Sequence, residues 1–155
     1  IYAPDKSPRF QDLNFGTYID AKAVKPETVV NLSGLTVTFF NTVHEEYNLA
    51  MRIEYEGKTM VYTGDLGPAT DIQAFCGGAD LLICEASLYE HEKGMFPGHL
   101  TTEEAARLAA SAGVKSLLLT HFPHTGDIYT MSSQAAKYFK GNIVTAEINK
   151  TIKIY

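Results

Sequence analysis

Residues 117–127 read LLLTHFPHTGD, and the fold turns on how this stretch is interpreted. Three leucines, fit for the middle of a sheet, run into Thr120 and His121, and Pro123 and Gly126 then stop the strand. A histidine at a strand end is commonly satisfied by a backbone carbonyl and does nothing further. The junction gains meaning only if other strands end in the same way.

They do. The run LTVTFFNTV (35–43) leads to His44, KTMVYTG (58–64) to Asp65, DLLIC (80–84) to Glu85 and KSLLLT (115–120) to His121. In layered α/β folds the ligand crevice lies outside the carboxyl ends of the strands. If these strands share a sheet, or face one another across two sheets, the four side chains converge. Imidazole and carboxylate are ligands suited to Zn²⁺ or Mn²⁺. A carboxylate such as Asp65 also has two oxygens and can bridge two ions, which histidine cannot.

Each residue has an ordinary reading as well. Asp65 lies in TGDLGP, which is good turn chemistry. His44 fits a solvated strand end beside Glu45 and Glu46, and Glu85 fits a surface carboxylate. One site explains four strand ends together, so a metal or acid–base cluster is the reading carried forward. His99, in PGHLTTEEAA, enters a helix through a Gly-Pro-rich loop and is a candidate general acid or anion contact, or a plain loop histidine. His91 and His124 read as loop residues.

Around these junctions the pattern is of short strands first and β-α-β units later. YIDAKAV (18–24) reads as a strand, and residues 49–65 as a hairpin turning at Glu56-Gly57-Lys58. Residues 70–80 read as a short helix closed by Gly77 and Gly78. The TTEEAARLAASAGV segment is a helix with Thr101 as N-cap, Glu104 completing a capping box and Gly113 as its stop. SSQAAKYFK (132–140) reads as a second capped helix, and NIVTAEINKTIKIY (142–155) as a final pair of strands. The expected class is therefore α/β (α+β), in one layered domain.

Composition bounds the function. The chain has 155 residues, 45% of them hydrophobic and 20% charged, enough for one domain with a real core. A net charge of −5 without a basic stripe argues against affinity built on phosphate neutralisation. No apolar run approaches a membrane span, and no signal peptide is evident. Cys76 and Cys84 make no CxxC and no disulfide framework, which suits a reducing cytosol; Cys84, inside DLLICEA, reads as a buried thiol. The start at IYAPDKSPRF, without Met and with two apolar residues first, reads as part of a longer chain.

Taken together, FFNTVHEEYNLAMRIEYEGKTMVYTGDLGP, ADLLICEASLYE, GHLTTEEAA and KSLLLTHF resemble the metallo-β-lactamase superfamily, in its ribonuclease Z-like branch. The resemblance implies half or more of a four-layer αβ/βα sandwich with two divalent metal ions at one edge, Zn²⁺ foremost and Mn²⁺ fitting nearly as well. It implies that His44 and His121 are metal ligands and that Asp65 bridges the ions. His99 matches a histidine that contacts the scissile phosphate and assists the leaving group. Glu85 matches the glutamate of a His-Glu-Ala-Thr segment in which Cys84 stands for the histidine, so Glu85 is expected to support the ligands from behind. Tyr89, Phe96 and Phe122 are candidates for pocket walls or for core.

Two departures qualify the resemblance. The His-x-His-x-Asp-His signature of the family's first half, which would supply the majority of the ligands, is absent from this sequence. Residues 1–155 thus resemble the C-terminal part of a single such domain, its site completed by an N-terminal segment. Only 20 residues lie between His44 and Asp65, with no room for the arm by which ribonuclease Z grips tRNA. The expected activity is metal-assisted hydrolysis of a small phosphodiester. The alternatives are a lactonase or thioesterase and a metal-free scaffold of the same fold, with tRNA 3′ processing disfavoured. The expected setting is cytoplasmic. The expected partners are the N-terminal segment and a second copy in a homodimer, without membrane or nucleic acid.

Overall fold

The computed structural model describes residues 1–7, 10 and 18–154. Seven strands form one sheet: β3 (Val29–Leu32), β4 (Leu35–Asn41), β5 (Leu49–Tyr55), β6 (Lys58–Tyr62), β7 (Leu81–Glu85), β8 (Ser116–Thr120) and β9 (Asn142–Thr145), side by side in chain order. The first three pairings are antiparallel and the last three parallel. Strands β4, β6, β7 and β8 consequently run the same way. Their carboxyl ends share one edge of the sheet, the condition under which the four strand-end side chains converge.

One face of this sheet is covered by helices. Ala50, Val61, Leu82, Cys84, Leu117 and Leu119 pack against α1 (Gln73–Cys76), α2 (Thr102–Ser111) and α3 (Tyr129–Ala135) in the larger core. Ala105, Ala106 and Ala109 on α2 are fully buried, and their small side chains let the helix approach the sheet closely. The expected capping box holds α2 at its start: Glu104 N–H donates to Thr101 Oγ1 (3.3 Å) and Thr101 N–H to Glu104 Oε2 (3.0 Å). On the opposite face a two-stranded parallel sheet, β1 (Tyr2–Pro4) with β2 (Lys22–Val24), brings Val24 against Val30, Phe39 and Leu49.

Four expectations are corrected. Of residues 18–24 only Lys22–Val24 is a strand. The strand β3, reached through a tight turn with positive φ at Ser33 and Gly34, was not foreseen. Helix α3 spans Tyr129–Ala135 rather than 132–140, with Ile128 at its N-cap and Asp127 Oδ1 accepting the Tyr129 N–H (2.9 Å) just ahead of the first turn. Burial then falls on Met131 and Ala135, four residues apart on one face. The final pair of strands reduces to β9 among the described residues, and Tyr155 lies outside them. The alternating isoleucines mimic a strand, but Ile152 and Ile154 instead line clefts beside Leu81 and Met60. No helix is long and apolar enough to cross a membrane, among the described residues.

Candidate metal centre

Asp65 stands three residues past the end of β6, and its main chain is clamped before its side chain does anything. Its carbonyl accepts from Asn48 Nδ2 (2.5 Å) and Thr42 Oγ1 (2.9 Å), which ties the loops after β4 and β6 together. The carboxylate is thereby presented between two imidazoles. Oδ1 lies 2.8 Å from His121 Nδ1, and Oδ2 lies 3.8 Å from His44 Nε2. Each oxygen faces a different histidine.

His121 sits directly after β8 with φ of 49°, a backbone conformation that non-glycine residues seldom adopt. Such strain persists where the surroundings over-determine it, and functional sites are its usual location. His44 is anchored through Nδ1, which lies 3.1 Å from both the N–H and the carbonyl of Glu46. In one tautomer Nδ1 accepts the Glu46 N–H; in the other it donates to the Glu46 carbonyl and Nε2 keeps a free lone pair facing Asp65. That is the tautomer a metal ligand needs.

The third imidazole lies between the other two. His99 is edge-on to His44 at 4.9 Å and to His121 at 5.3 Å between ring centres. Its Nδ1 meets Glu85 Oε1 at 3.0 Å. An ionised carboxylate can only accept, so Nδ1 carries the hydrogen and Nε2 is left for the site. Glu85 is 1% exposed, yet every lone-pair direction is used. Oε1 also accepts Leu66 N–H (2.8 Å), and Oε2 accepts Ser87 Oγ–H (2.7 Å) and Leu100 N–H (3.3 Å). The loop carrying His99 is pressed against Gly67, where a Cβ would collide with the Pro97 carbonyl.

The structure therefore brings together His44, Asp65, Glu85, His99 and His121, all five residues singled out in the sequence. It leaves His91 apart, stacked on Tyr89 at 5.7 Å, while exposed His124 lines a neighbouring cleft. Sequence reasoning passed over Glu45 as a solvated carboxylate. Its Oε2 lies 3.3 Å from His44 Nε2, and its adjacency to His44 is the only signal that pointed there. Two sets of side chains have ligand atoms mutually within 4.8 Å: His44, Glu45 and His99, and Glu85, His99 and His121. His99 belongs to both sets while being held by Glu85.

Electrostatics favour a cation. The Tyr62 phenol, at the end of β6, is pushed above its ordinary value by burial first and then by the charges of Asp65 and Glu85. The Cys84 thiol is driven well above its ordinary value by burial, followed by Glu85 and Cys76. It belongs to the helix-side core and is no thiolate ligand. The donor set is thus nitrogen and oxygen, which fits Zn²⁺ or Mn²⁺. His44, Asp65 and His121 are too few to complete two four-coordinate ions by themselves.

The Beta-lactamase superfamily domain model matches residues 6–122. The chain belongs to this family. A protein of Bacillus subtilis named probable metallo-hydrolase YhfI is 35% identical over 148 residues, covering 95% of this chain and 61% of that protein. The ribonuclease Z of Archaeoglobus fulgidus is 31% identical over 131 residues, covering 82% of this chain and 40% of its own length. Among solved structures, the metallo-β-lactamase fold protein YhfI from Bacillus subtilis superposes with a TM-score of 0.88 at 36% identity, covering 95% of this chain and 61% of that one. Human tRNase Z, short form, superposes with a TM-score of 0.65 at 25% identity, covering 81% and 44%. The expected superfamily and α/β fold thus hold, with ribonuclease Z proteins among the relatives. This chain spans 61% of the length of its Bacillus subtilis relative and less of the others.

Proposed function

We propose that these residues form part of the dinuclear centre of a hydrolase acting on a small phosphodiester. The observation that carries the reading is Asp65, whose two oxygens face His121 and His44 separately, with His99 set between them by a buried glutamate. Two divalent ions, Zn²⁺ foremost, would supply Lewis acidity, raising the acidity of water and drawing charge from the phosphoryl oxygens. His44, Asp65 and His121 would hold them, with donors from outside these 155 residues needed to complete the set. A water oxygen bonds to phosphorus and releases one proton to bulk water, the ester P–O bond breaks, and the leaving oxygen takes a proton. His99, as imidazolium with its Nδ1–H held by Glu85, gives that proton from Nε2 and is left as the neutral ring. The acidic net charge and the tight β5–β6 hairpin favour a small substrate over tRNA. Two buried free thiols, Cys76 and Cys84, are consistent with a reducing cytosol.

The test is metal analysis and turnover of bis(4-nitrophenyl) phosphate by the intact natural protein. Asp65→Ala loses metal. His99→Ala keeps metal and slows turnover by roughly 10²- to 10⁴-fold. Loss of metal from His99→Ala would overturn the roles assigned. A fully loaded protein that leaves phosphodiesters untouched would move the reading to lactones or thioesters.

A further inference from the structure

The metal-centre histidines form one wall of a cleft that the chemistry above does not use. It has a volume of about 390 Å³ and runs from His99 and His121 out between the loop after β7 and the loop after β8. Leu88, Phe96, Phe122 and Pro123 give it apolar walls between polar Ser87, Glu92, His124 and Thr125, and neither Lys nor Arg lines it. Phe122 packs against the main core, so that wall is fixed, whereas Phe96 stands 50% exposed on the opposite rim. The two loops are tied to each other. Tyr89 Oη donates to the Thr125 carbonyl (2.8 Å), and a Cβ on Gly126, whose φ is +100°, would collide with that hydroxyl. The cleft is therefore built before any ligand enters.

We propose that this cleft is a subsite for the departing part of the substrate, and that it takes a flat, uncharged aromatic group. The inference rests on the phosphodiester reading and adds to it the class of substrate. Position argues for the departing part: His99, the proton donor to the leaving oxygen, is shared between the cleft and the centre. Chemistry argues for an aromatic ring. Two phenyl rings and a proline offer faces and edges to stack on, and such contacts add to simple burial. Charge argues against a further phosphate, since the cleft has a carboxylate, Glu92, to repel one and neither Lys nor Arg to neutralise it. The volume suits a group of one or two rings.

The experiment compares phenylphosphonate and methylphosphonate by calorimetry on the intact natural protein loaded with Zn²⁺. The phosphonate group is common to both, so the difference in affinity reads the cleft alone. Phenylphosphonate binds about tenfold more tightly, from one stacked and buried ring. In Phe96→Ala, a change at an exposed rim that leaves the core intact, this preference falls to about twofold while methylphosphonate affinity is unchanged. Equal affinities in the unaltered protein, or a tenfold preference surviving in Phe96→Ala, would overturn the subsite. Failure of both phosphonates to bind would instead overturn the phosphodiester reading, and the subsite with it.

Discussion

Glutamine at position 85 is the most informative single change, because it keeps the shape of the side chain while removing its charge and turning one of its two accepting oxygens into a donor. Glu85 is buried and serves Leu66 N–H and His99 Nδ1–H through Oε1, and Ser87 Oγ–H and Leu100 N–H through Oε2. An amide can satisfy only one side. Placing its NH₂ at the Oε1 position strands the short Leu66 bond, so the amide turns its NH₂ toward Ser87 and Leu100. Ser87 rotates its hydroxyl to accept, and Leu100 N–H is left buried without a partner, which costs about 1–2 kcal/mol. The bonds from Leu66 and His99 lose their charge assistance, roughly 0.5–1 kcal/mol each. Glu85→Gln should therefore destabilise the fold by about 2–4 kcal/mol, with no cavity to confuse the reading. Urea unfolding measures it as a lower midpoint at unchanged slope. A loss below about 1 kcal/mol would refute the claim that this carboxylate is the hub joining the strand-end loops.

Three further outcomes follow from the same geometry. Gly67→Ala drives a Cβ into the Pro97 carbonyl beneath the His99 loop and should cost about 1–3 kcal/mol; a melting temperature within a degree of the parent would show that the loop is not pressed there. The Asp80 carboxyl is held below its ordinary range by Lys115 Nζ (2.6 Å) and then by Thr59 N–H (2.8 Å). A depressed folded value means that its stabilisation is complete above the unfolded carboxylate value, about 3.9, and fades as pH falls through the folded one. Asp80→Asn should thus flatten the acid limb of stability by about 1 kcal/mol, a modest figure because Lys115 is 67% exposed; an unaltered limb between about pH 6 and pH 2 would refute it. Burial pushes the Cys76 thiol up to about 12 against the opposing charge of Arg52, and drives Cys84 well above its ordinary value. Neither should react with a disulfide reagent at about pH 8 until the protein is denatured, and prompt reaction of the native protein would show one of them to be open.

Much of the site was legible before the fold was known, because strand ends are written locally. An apolar run followed by Gly or Pro marks where a strand stops, and the residue at that point must lie at a sheet edge. That logic singled out Asp65 and His121 without any knowledge of pairing, and His44 and Glu85 stood out as the polar residues that close their apolar runs. The capping box of α2 was legible for the same reason, since Thr101 and Glu104 satisfy one another within a single turn. The local pattern misled in two places. Helix α3 starts at Tyr129, just after Asp127, whose carboxylate takes the Tyr129 N–H, and the alternating isoleucines of the tail lie beside neighbouring strands instead of pairing with one.

The sequence by itself determined which side chains stand at strand ends and what chemistry they carry, since both follow from residue type and near neighbours. Only the tertiary structure decided that four of these strands run parallel to one another, and therefore that their ends meet at one edge. It alone assigned His121 to one oxygen of Asp65 and His44 to the other, and gave Glu85 to His99. The physical reason is distance along the chain. His44 and His121 are far apart in sequence, and no local rule relates the register of β4 to that of β8. Burial of Ala50, Val61, Leu82 and Leu117 under the helices sets that register, and the imidazoles are carried into place by it.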